Sequence, residues 1–363
     1  MKNILIAIRS IFKKGRHNVM KIVSLGIGLA VGLVLIAKVY FEQSYDDFYP
    51  DRDRVYQVWA KYQQNGGELK DYPQTSGGIA PTMQQQIPEI ETVTRYTSFG
   101  DWTFTMTDTK MKYSGRCIIA DSCFFDILPR PMLIGNAKEV LSTPMYVLIS
   151  SRIAKNIGGD VIGKNFTVDN SPGRTMTIGG VFEEVPENSH SRYDVIVSMA
   201  SAGRFMWEGS PTNMLGNDRY ISYVKLHKGV NPLALEEQVR TFVNSYFPPE
   251  EQQKVGLSID FSFHKLDNLH KELPQVKRMT WILSLLAFAL IFTAVMNYIL
   301  IVISSIVNRS KEVAVHKCYG ASENNIHGMM FGEALVHIVL SLILALLLIL
   351  AFRGTVEELL ATS

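Results

Sequence analysis

The sequence lacks the residue patterns that support catalysis or metal binding. No metal-ligand signature appears, since His264 and His270 are six residues apart while His190 and Cys117 stand alone. No Gly-x-Ser-x-Gly nucleophile elbow is present either. We therefore predict a protein that is not an enzyme and has no metal site and no cofactor.

A glycine-rich segment comes close to a phosphate-binding loop without completing it. Residues 158–165 are GGDVIGKN. A phosphate-binding loop needs Ser or Thr after the lysine, to hold magnesium, and a helix directly afterwards. Here Asn165 fills that position, and the residues that follow predict a strand and a turn. We interpret the segment as a turn that enters a hairpin.

An excess of charge of one sign is also missing. The 363 residues contain 36 Lys and Arg against 34 Asp and Glu, a net charge of +2. This balance gives no whole-protein reason to expect a nucleic-acid partner.

Long apolar runs are the feature that the sequence does have. They occupy residues 22–40, 281–307 and 329–352, and each is long enough to cross a bilayer as a helix. The first run is too long for a signal-peptide core and is followed by EQSYDD, without a small-x-small cleavage site. We therefore predict a membrane protein with a large domain between the first two spans.

Positive charge in the short loops predicts the orientation. The segment before the first span is basic and contains no acid, which places it in the cytoplasm. Residues 42–278 then lie outside the inner membrane, the loop 308–328 returns to the cytoplasm, and the end of the chain lies outside. The basic residues are Lys2, Arg9, Lys13, Lys14, Arg16 and Lys21 before the first span, and Arg309, Lys311 and Lys317 in the loop.

Three cysteines allow two interpretations. Cys318 falls in the reducing cytoplasm. Cys117 and Cys123 both lie outside, where a disulfide is permitted. The two could also be small core residues, and the sequence leaves this choice open.

The outside region predicts a mixed α+β domain, which together with the α-helical transmembrane segments gives the fold class. Alternating apolar residues predict strands, and helical spacing predicts helices between them. A turn is predicted at 169–173. The predicted strands are 55–62, 93–99, 102–106, 166–168, 174–182, 195–199 and 220–226; the predicted helices are 78–87 and 233–246; and 147–156 begins as a strand and becomes helical.

Several small or polar residues inside the spans suggest helix packing. Gly28 and Gly32 are four apart, which lets two helix backbones approach closely in lipid, although glycine is also common in transmembrane helices by chance. Glu333 and His337 are one helical turn apart early in the third span. They either have a function inside the membrane or face the bundle near the headgroups.

The loop between the second and third spans predicts a short amphipathic helix. Ala314, Val315 and Cys318 share an apolar face that charged residues surround, Gly320 ends the helix, and Ser322 caps the next one. Such a helix is suited to docking in a groove of a soluble partner. The alternative, a solvated loop that only joins two spans, stays open.

This loop resembles the coupling segment of MacB/FtsX-type (type VII) ABC transporter permeases. The family has an Arg/Lys-Glu-x-Ala/Gly stretch and then a Gly-Ala-Ser/Thr turn, and Glu333 matches a glutamate early in its third helix. The start of the outside domain is similar to a MacB-type periplasmic core domain. The matching segments are Arg309, KEVA at 311–314, GAS at 320–322, EQSYDDF at 42–48, DRVY at 53–56, VIGK at 161–164, PENSH at 186–190 and YD at 193–194.

The resemblance implies a permease subunit that transmits ATP-driven motion from a cytoplasmic ABC ATPase to the periplasmic domain, for efflux, lipoprotein handling or control of envelope enzymes. It implies a homodimer or pseudo-dimer in membrane lipid, and it allows a periplasmic adaptor. The implied ATPase-docking residues are Arg309, Lys311, Glu312, Val313, Val315, Lys317, Gly320 and Ala321.

The expected domains follow the spans. The family has four transmembrane helices in this unit, so with three we expect either a lost helix or a part of a longer permease. A membrane-anchored sensor or scaffold is the alternative, although each cytoplasmic piece is too short to fold as an output domain. The boundaries are a cytoplasmic segment 1–21, spans 22–41, 276–307 (with a stalk) and 329–352, a periplasmic core domain 42–275, a coupling segment 308–328 and a periplasmic tail 353–363.

Overall fold

A computed structural model gives the structure of the chain. It describes residues 18–169, 171–308, 314–315, 318–319 and 323–361. These residues divide into two compact units. A helical unit contains the residues up to Ser44 and those from Lys271 onward, and an α/β domain contains the residues between them.

Four helices of the helical unit have bounds within the described residues. They are α1 (Asn18–Gln43), α9 (Pro274–Asn308), α10 (Glu323–Ala351) and α11 (Arg353–Ala361), the numbers between belonging to the α/β domain. Within the described residues, α1, α9 and α10 are the three that are long and apolar enough to cross a membrane. This confirms the prediction of an α-helical membrane protein.

The spanning helices are apolar over most of their surface. Trp281, Phe288 and Leu346 are exposed although they are large and apolar, while α1 packs against both α9 and α10. A helix that is hydrophobic all round is stable when lipid, rather than water, covers its outer face. The helices also extend past the apolar runs, because polar residues at their ends find partners, as Lys38 does with Glu42 at 2.7 Å.

The described strands of the α/β domain form one mixed sheet. Its order is β11-β1-β10-β3-β4-β9-β6-β8-β5, with β2 on β1 and β7 joining β3 to β8. Most neighbours are antiparallel, while β4–β9 and β6–β8 are parallel. The strands are β1 (Val55–Gln64), β2 (Lys70–Tyr72), β3 (Ile90–Met106), β4 (Lys112–Ala120), β5 (Met132–Ile134), β6 (Tyr146–Ser150), β7 (Asn165–Val168), β8 (Ser171–Phe182), β9 (Val195–Ser198), β10 (Ile221–Leu226) and β11 (Leu257–Lys265).

Short helices cover parts of this sheet. Helices α2 and α7 bury Met83 and Phe242 in one apolar cluster with strands β1, β3, β10 and β11. Such burial of large apolar side chains is the main source of stability for a domain of this size. The helices are α2 (Ile79–Gln86), α3 (Phe124–Ile127), α4 (Ala137–Ser142), α5 (Ser151–Ile157), α6 (Ala202–Phe205), α7 (Glu236–Tyr246) and α8 (Pro249–Val255).

Some local predictions need correction. The two strands expected at 93–99 and 102–106 are one strand, β3, whose pairing with β4 shifts between Ser98 and Gly100. Gly100 has a positive φ of 73°, which glycine adopts without strain, so the chain continues through the irregularity. The turn expected at 169–173 is shorter, because Ser171 is already part of β8 and pairs with Val168 of β7.

The cysteines on the α/β domain are free. Cys117 is buried in β4, and Cys123 lies at the start of α3 with its Sγ 3.1 Å from the Val93 carbonyl oxygen. Of the two interpretations of this pair, the structure supports two small core residues.

Candidate functional site in the membrane-spanning helices

Most of the predicted ATPase-docking residues lie outside the described residues. Within the segment 309–322, the described Ala314 and Val315 are helical and exposed, and the Tyr319 N–H donates to the Val315 carbonyl oxygen at 3.1 Å, as in a helical turn. Val315 is 53% exposed. The docking residues outside the described part are Arg309, Lys311, Glu312, Val313, Lys317, Gly320 and Ala321.

The glycines of α1 lie where another helix comes close. A Cβ on Gly28 would be 2.3 Å from the Ala294 Cβ, and one on Gly32 would be 2.4 Å from the Ile291 Cγ1. Both distances are far below an ordinary van der Waals contact, so only glycine fits against α9 at these two positions. The Asn297 side chain reinforces the same pair of helices by donating to the Ser24 Oγ at 2.7 Å.

A lysine is buried at the start of α1. Lys21 is 2% exposed, and its Nζ donates to the Ser305 Oγ on α9 at 3.2 Å and to the Asn18 Oδ1 at 3.4 Å. An ammonium group inside an apolar bundle is costly unless polar groups surround it. These contacts therefore hold the first turn of α1 to the last part of α9.

The third spanning helix brings an acid and an imidazole to the same place. Glu333 is 8% exposed and His337 is 1% exposed. The Tyr298 hydroxyl of α9 lies 3.4 Å from the His337 Nδ1. A cavity of about 40 Å³ opens between these groups, which is room for one or two small polar molecules. Its lining includes Lys21, Tyr298, Val302, Ser305, Met330, Glu333, Ala334 and His337.

We call Asn18, Lys21, Ser305, Glu333 and His337 the intramembrane polar cluster. All three spanning helices contribute to it. Ionisable side chains are rare within membrane helices and usually face the interior of a bundle when they have a function. Along the chain, Ser305 lies shortly before the predicted coupling segment 308–328, and Glu333 lies shortly after it. The cluster is thus close, in sequence, to both ends of the predicted coupling segment.

The sequence indicated only part of this cluster. Glu333 and His337 were candidates, whereas Lys21 counted only as one of six basic residues that set the orientation. Lys21 could have been identified from its position directly before the first apolar run. Its charge is also opposite to that of Glu333, the acid inside the third apolar run. Of two neighbouring serines on α9, Ser305 faces the cluster while Ser304 is exposed.

The near match to a phosphate-binding loop has a structural explanation. Gly158 ends α5 with a φ of 75°, and Gly163 has a φ of 78°. The next element is the strand β7, not the helix that a nucleotide site requires. Among the described residues, no group of three or more His, Cys, Asp or Glu side chains could hold a metal ion.

Two family profiles match the chain. The MacB-like periplasmic core domain matches residues 20–242, and the FtsX-like permease C-terminal domain matches residues 284–363. The first match alone covers more than half of the chain. A comparison with curated proteins finds no match.

Solved structures resemble part of this chain. A domain of a Porphyromonas gingivalis protein described as a permease is 33% identical, with 60% of this chain and 91% of that chain covered and a TM-score of 0.55. The periplasmic region of MacB from Actinobacillus actinomycetemcomitans is 14% identical, with 60% and 91% covered and a TM-score of 0.40.

A third structure is the extracellular domain of the noncanonic ABC-type transporter YknZ from Gram-positive bacteria. It is 11% identical, with 56% of this chain and 98% of that chain covered and a TM-score of 0.39. The profile matches and the 33% identical permease domain agree with the spanning helices and the α/β domain described above. The chain therefore belongs to the MacB/FtsX-type family of ABC transporter permeases.

Proposed function

We propose that this permease transmits motion from a cytoplasmic ATPase to its α/β domain. The N-terminus and the segment 309–322 face the cytoplasm in this proposal, and the α/β domain lies on the other side of the inner membrane. The ATPase docks on the segment 309–322. Two copies of this chain, or one copy and a similar chain, form the membrane-spanning part of the transporter in lipid. The proposal is also compatible with a periplasmic adaptor protein.

One observation carries the proposal. Helix α9 runs without interruption for 35 residues, from Pro274 to Asn308, which is about 50 Å at helical rise. Its first residue follows the last residue of the α/β domain, His270, by four positions, and its last residue directly precedes Arg309, the first predicted docking residue. A continuous helix is stiff along its axis, so a displacement at one end reaches the other.

The intramembrane polar cluster supports the same mechanism. Lys21 connects α1 to α9 through Ser305, and the Tyr298 hydroxyl connects α9 to His337 of α10. A force on the segment between α9 and α10 would therefore move the ends of three helices together rather than one helix alone. Substrate need not cross the lipid through this subunit in such a mechanism.

Association with the ATPase tests the proposal. We expect the full-length chain to co-purify with an ABC ATPase that contains a Walker A motif, and we expect Val315→Arg, Glu312→Lys and Gly320→Arg to reduce the recovered ATPase about tenfold or more, as loss of a central docking contact would. Val255→Arg is the control, because Val255 is also an exposed valine but lies in the α/β domain. Unchanged recovery with all three docking variants would exclude this segment as the docking site.

A further inference from the structure

The α/β domain contains a buried polar chain that begins right after α1. The helix ends at Gln43, and Asp46 follows three residues later with a φ of 61°, a left-handed conformation that aspartate tolerates better than most residues. Asp46 is fully buried. A buried carboxylate is costly unless several hydrogen bonds satisfy it, so its partners determine how this stretch of chain is held.

The partners of Asp46 come from the loop before β9. His190 places its Nδ1 2.8 Å from the Asp46 Oδ2, the Ser189 hydroxyl donates to Oδ1 at 3.2 Å, and the His190 N–H donates to Oδ1 at 3.3 Å. The Asp46 N–H in turn donates to the Asn188 carbonyl oxygen at 2.9 Å. Hydrogen bonds to an ionised group are about twice as strong as neutral ones, which makes this a firm attachment.

The chain of contacts continues into the sheet. The His190 Nε2 lies 2.5 Å from the hydroxyl of Tyr223 on β10. A carboxylate only accepts, so the ring donates from Nδ1 to Asp46 and its Nε2 accepts from the tyrosine. Burial raises the pKa of Tyr223 well above its usual value, which keeps the hydroxyl protonated as a donor. The neighbouring Ser191 donates to the hydroxyl of Tyr96 on β3 at 2.8 Å.

The chain passes between the two units twice, before Tyr45 and after His270, and these two residues are in contact. Tyr45 and His270 are the first and last residues of the α/β domain, and their rings stack with centroids 3.4 Å apart and planes 6° apart. Rings packed face to face exclude water from both faces and gain dispersion contacts. The two chain crossings are thus joined to each other and, through Asp46, to strands β10 and β3.

We infer that Tyr45, Asp46, His190, Tyr223 and His270, the junction cluster, are positioning residues that pass displacement of α1 to the sheet of the α/β domain. The inference rests on the proposed function and adds a second route beside α9. Without the cluster, the residues after Gln43 would act as a loose connection, and movement of α1 would end there.

The test displaces α1 and measures hydrogen–deuterium exchange in the α/β domain. It uses the full-length chain in nanodiscs with no ATPase present. Gly28→Ala is the displacement, because its Cβ would lie 2.3 Å from the Ala294 Cβ and the helices must separate. We expect hydrogen–deuterium exchange in the peptide 186–194 to change about threefold or more. Gly332→Ala, in a membrane helix where a Cβ meets nothing within 4 Å, is the control and should change nothing.

The same displacement is then repeated with the junction cluster broken. In the Asp46→Asn background we expect the response of 186–194 to Gly28→Ala to disappear, whereas in the Asp47→Asn background it should persist, since Asp47 is exposed and pairs with Arg52. An equal response in both backgrounds, or no response to Gly28→Ala in the unmodified chain, overturns the inference.

A second pair of variants covers the case in which Asp46→Asn does not fold. His190→Ala removes the link between Asp46 and Tyr223, and we expect it to abolish the response. His190→Asn places an amide N–H close to where Nδ1 stands and should restore part of it, a rescue that loss of packing alone would not predict. Because no ATPase is present, failure here leaves ATPase docking untouched, and loss of docking leaves this coupling intact.

Discussion

At the scale of single residues, Lys21 is the side chain whose surroundings most need explanation. Its ammonium group is buried at the start of a membrane helix, bonded to Ser305 and Asn18 and beside the cavity that Glu333 also lines. Removing one member of a buried charged group is usually far more damaging than replacing all of them, because the remaining charge keeps its desolvation cost. This asymmetry makes the cluster testable.

We expect Lys21→Met to lower the free energy of unfolding in detergent by about 2–4 kcal/mol, and the double variant Lys21→Met/Glu333→Gln to recover part of that loss. Unfolding in sodium dodecyl sulfate mixtures measures both values. Lys228→Met, at an exposed position of the α/β domain, is the control and should stay within about 0.5 kcal/mol. A Lys21→Met variant as stable as the unmodified chain would show that the buried lysine contributes nothing to the bundle.

A second residue-scale prediction concerns Asp51 and pH. The Lys225 ammonium lies 2.6 Å from one carboxylate oxygen and the Arg54 Nε lies 3.0 Å from the other, and these hydrogen bonds, that of Lys225 first, lower the pKa of Asp51. Because the folded-state pKa lies below the unfolded one, the stabilisation is fully present above the ordinary carboxyl pKa of about 4 and is lost as pH falls through the folded value.

We therefore expect Asp51→Asn to destabilise the full-length chain at neutral pH, by no more than about 1 kcal/mol because solvent screens the partly exposed group. The difference from the unmodified chain should shrink below about pH 4. Thermal unfolding followed between pH 3 and pH 8 measures this. The exposed Asp53→Asn is the control, and a difference for Asp51→Asn that grows as the pH falls would contradict the assignment.

At the scale of elements, the sequence predicts helices better than it predicts the sheet. The apolar runs marked the three spanning helices because lipid requires an apolar surface along the whole helix. The described helix α1, Asn18–Gln43, is longer than the apolar run 22–40, because polar residues at its ends find partners in the fold. Such partners depend on tertiary packing, which periodicity does not reveal.

Two long strands escaped prediction for different reasons. β4 begins with Lys112, Tyr113 and Ser114, and only its last residues are continuously apolar. β11 alternates apolar and polar residues from Leu257 to His264, so its sequence does indicate a strand and the prediction overlooked it. Their neighbours β3 and β1 are strongly patterned and supply the pairing. Formation of β4 depends on the strand that lies beside it more than on its own sequence.

Glu333 could be found from the sequence because it is an acid inside an apolar run. Its proximity to Lys21 depends on how the helices pack and could not be found in that way.

At the scale of the whole molecule, each of the two units has a buried polar cluster of its own. The helical unit has the intramembrane polar cluster, and the α/β domain has the junction cluster, which includes Tyr45 and His270, its first and last residues. Each of these two clusters thus includes residues close in sequence to a place where, in the proposed mechanism, force would have to enter. A permease that only held a domain at the membrane would not need costly buried charge at such positions.

The orientation of the whole chain is open to direct measurement through Cys318, which is exposed. In a Cys117→Ser/Cys123→Ser background, we expect Cys318 in spheroplasts to resist a membrane-impermeant maleimide and to react once the membrane is permeabilised, because a charged reagent does not cross the bilayer core.

A cysteine at the exposed Lys228 of the α/β domain provides the opposite case. Lys228→Cys should react in intact spheroplasts, and mass-tagging on a gel measures both sites. Reaction of Cys318 from outside together with protection of the Lys228→Cys site would invert the orientation and remove the docking segment from the cytoplasmic ATPase. Reaction of both sites from outside would mean that α9 does not cross the membrane, and transmission along this helix would then be excluded.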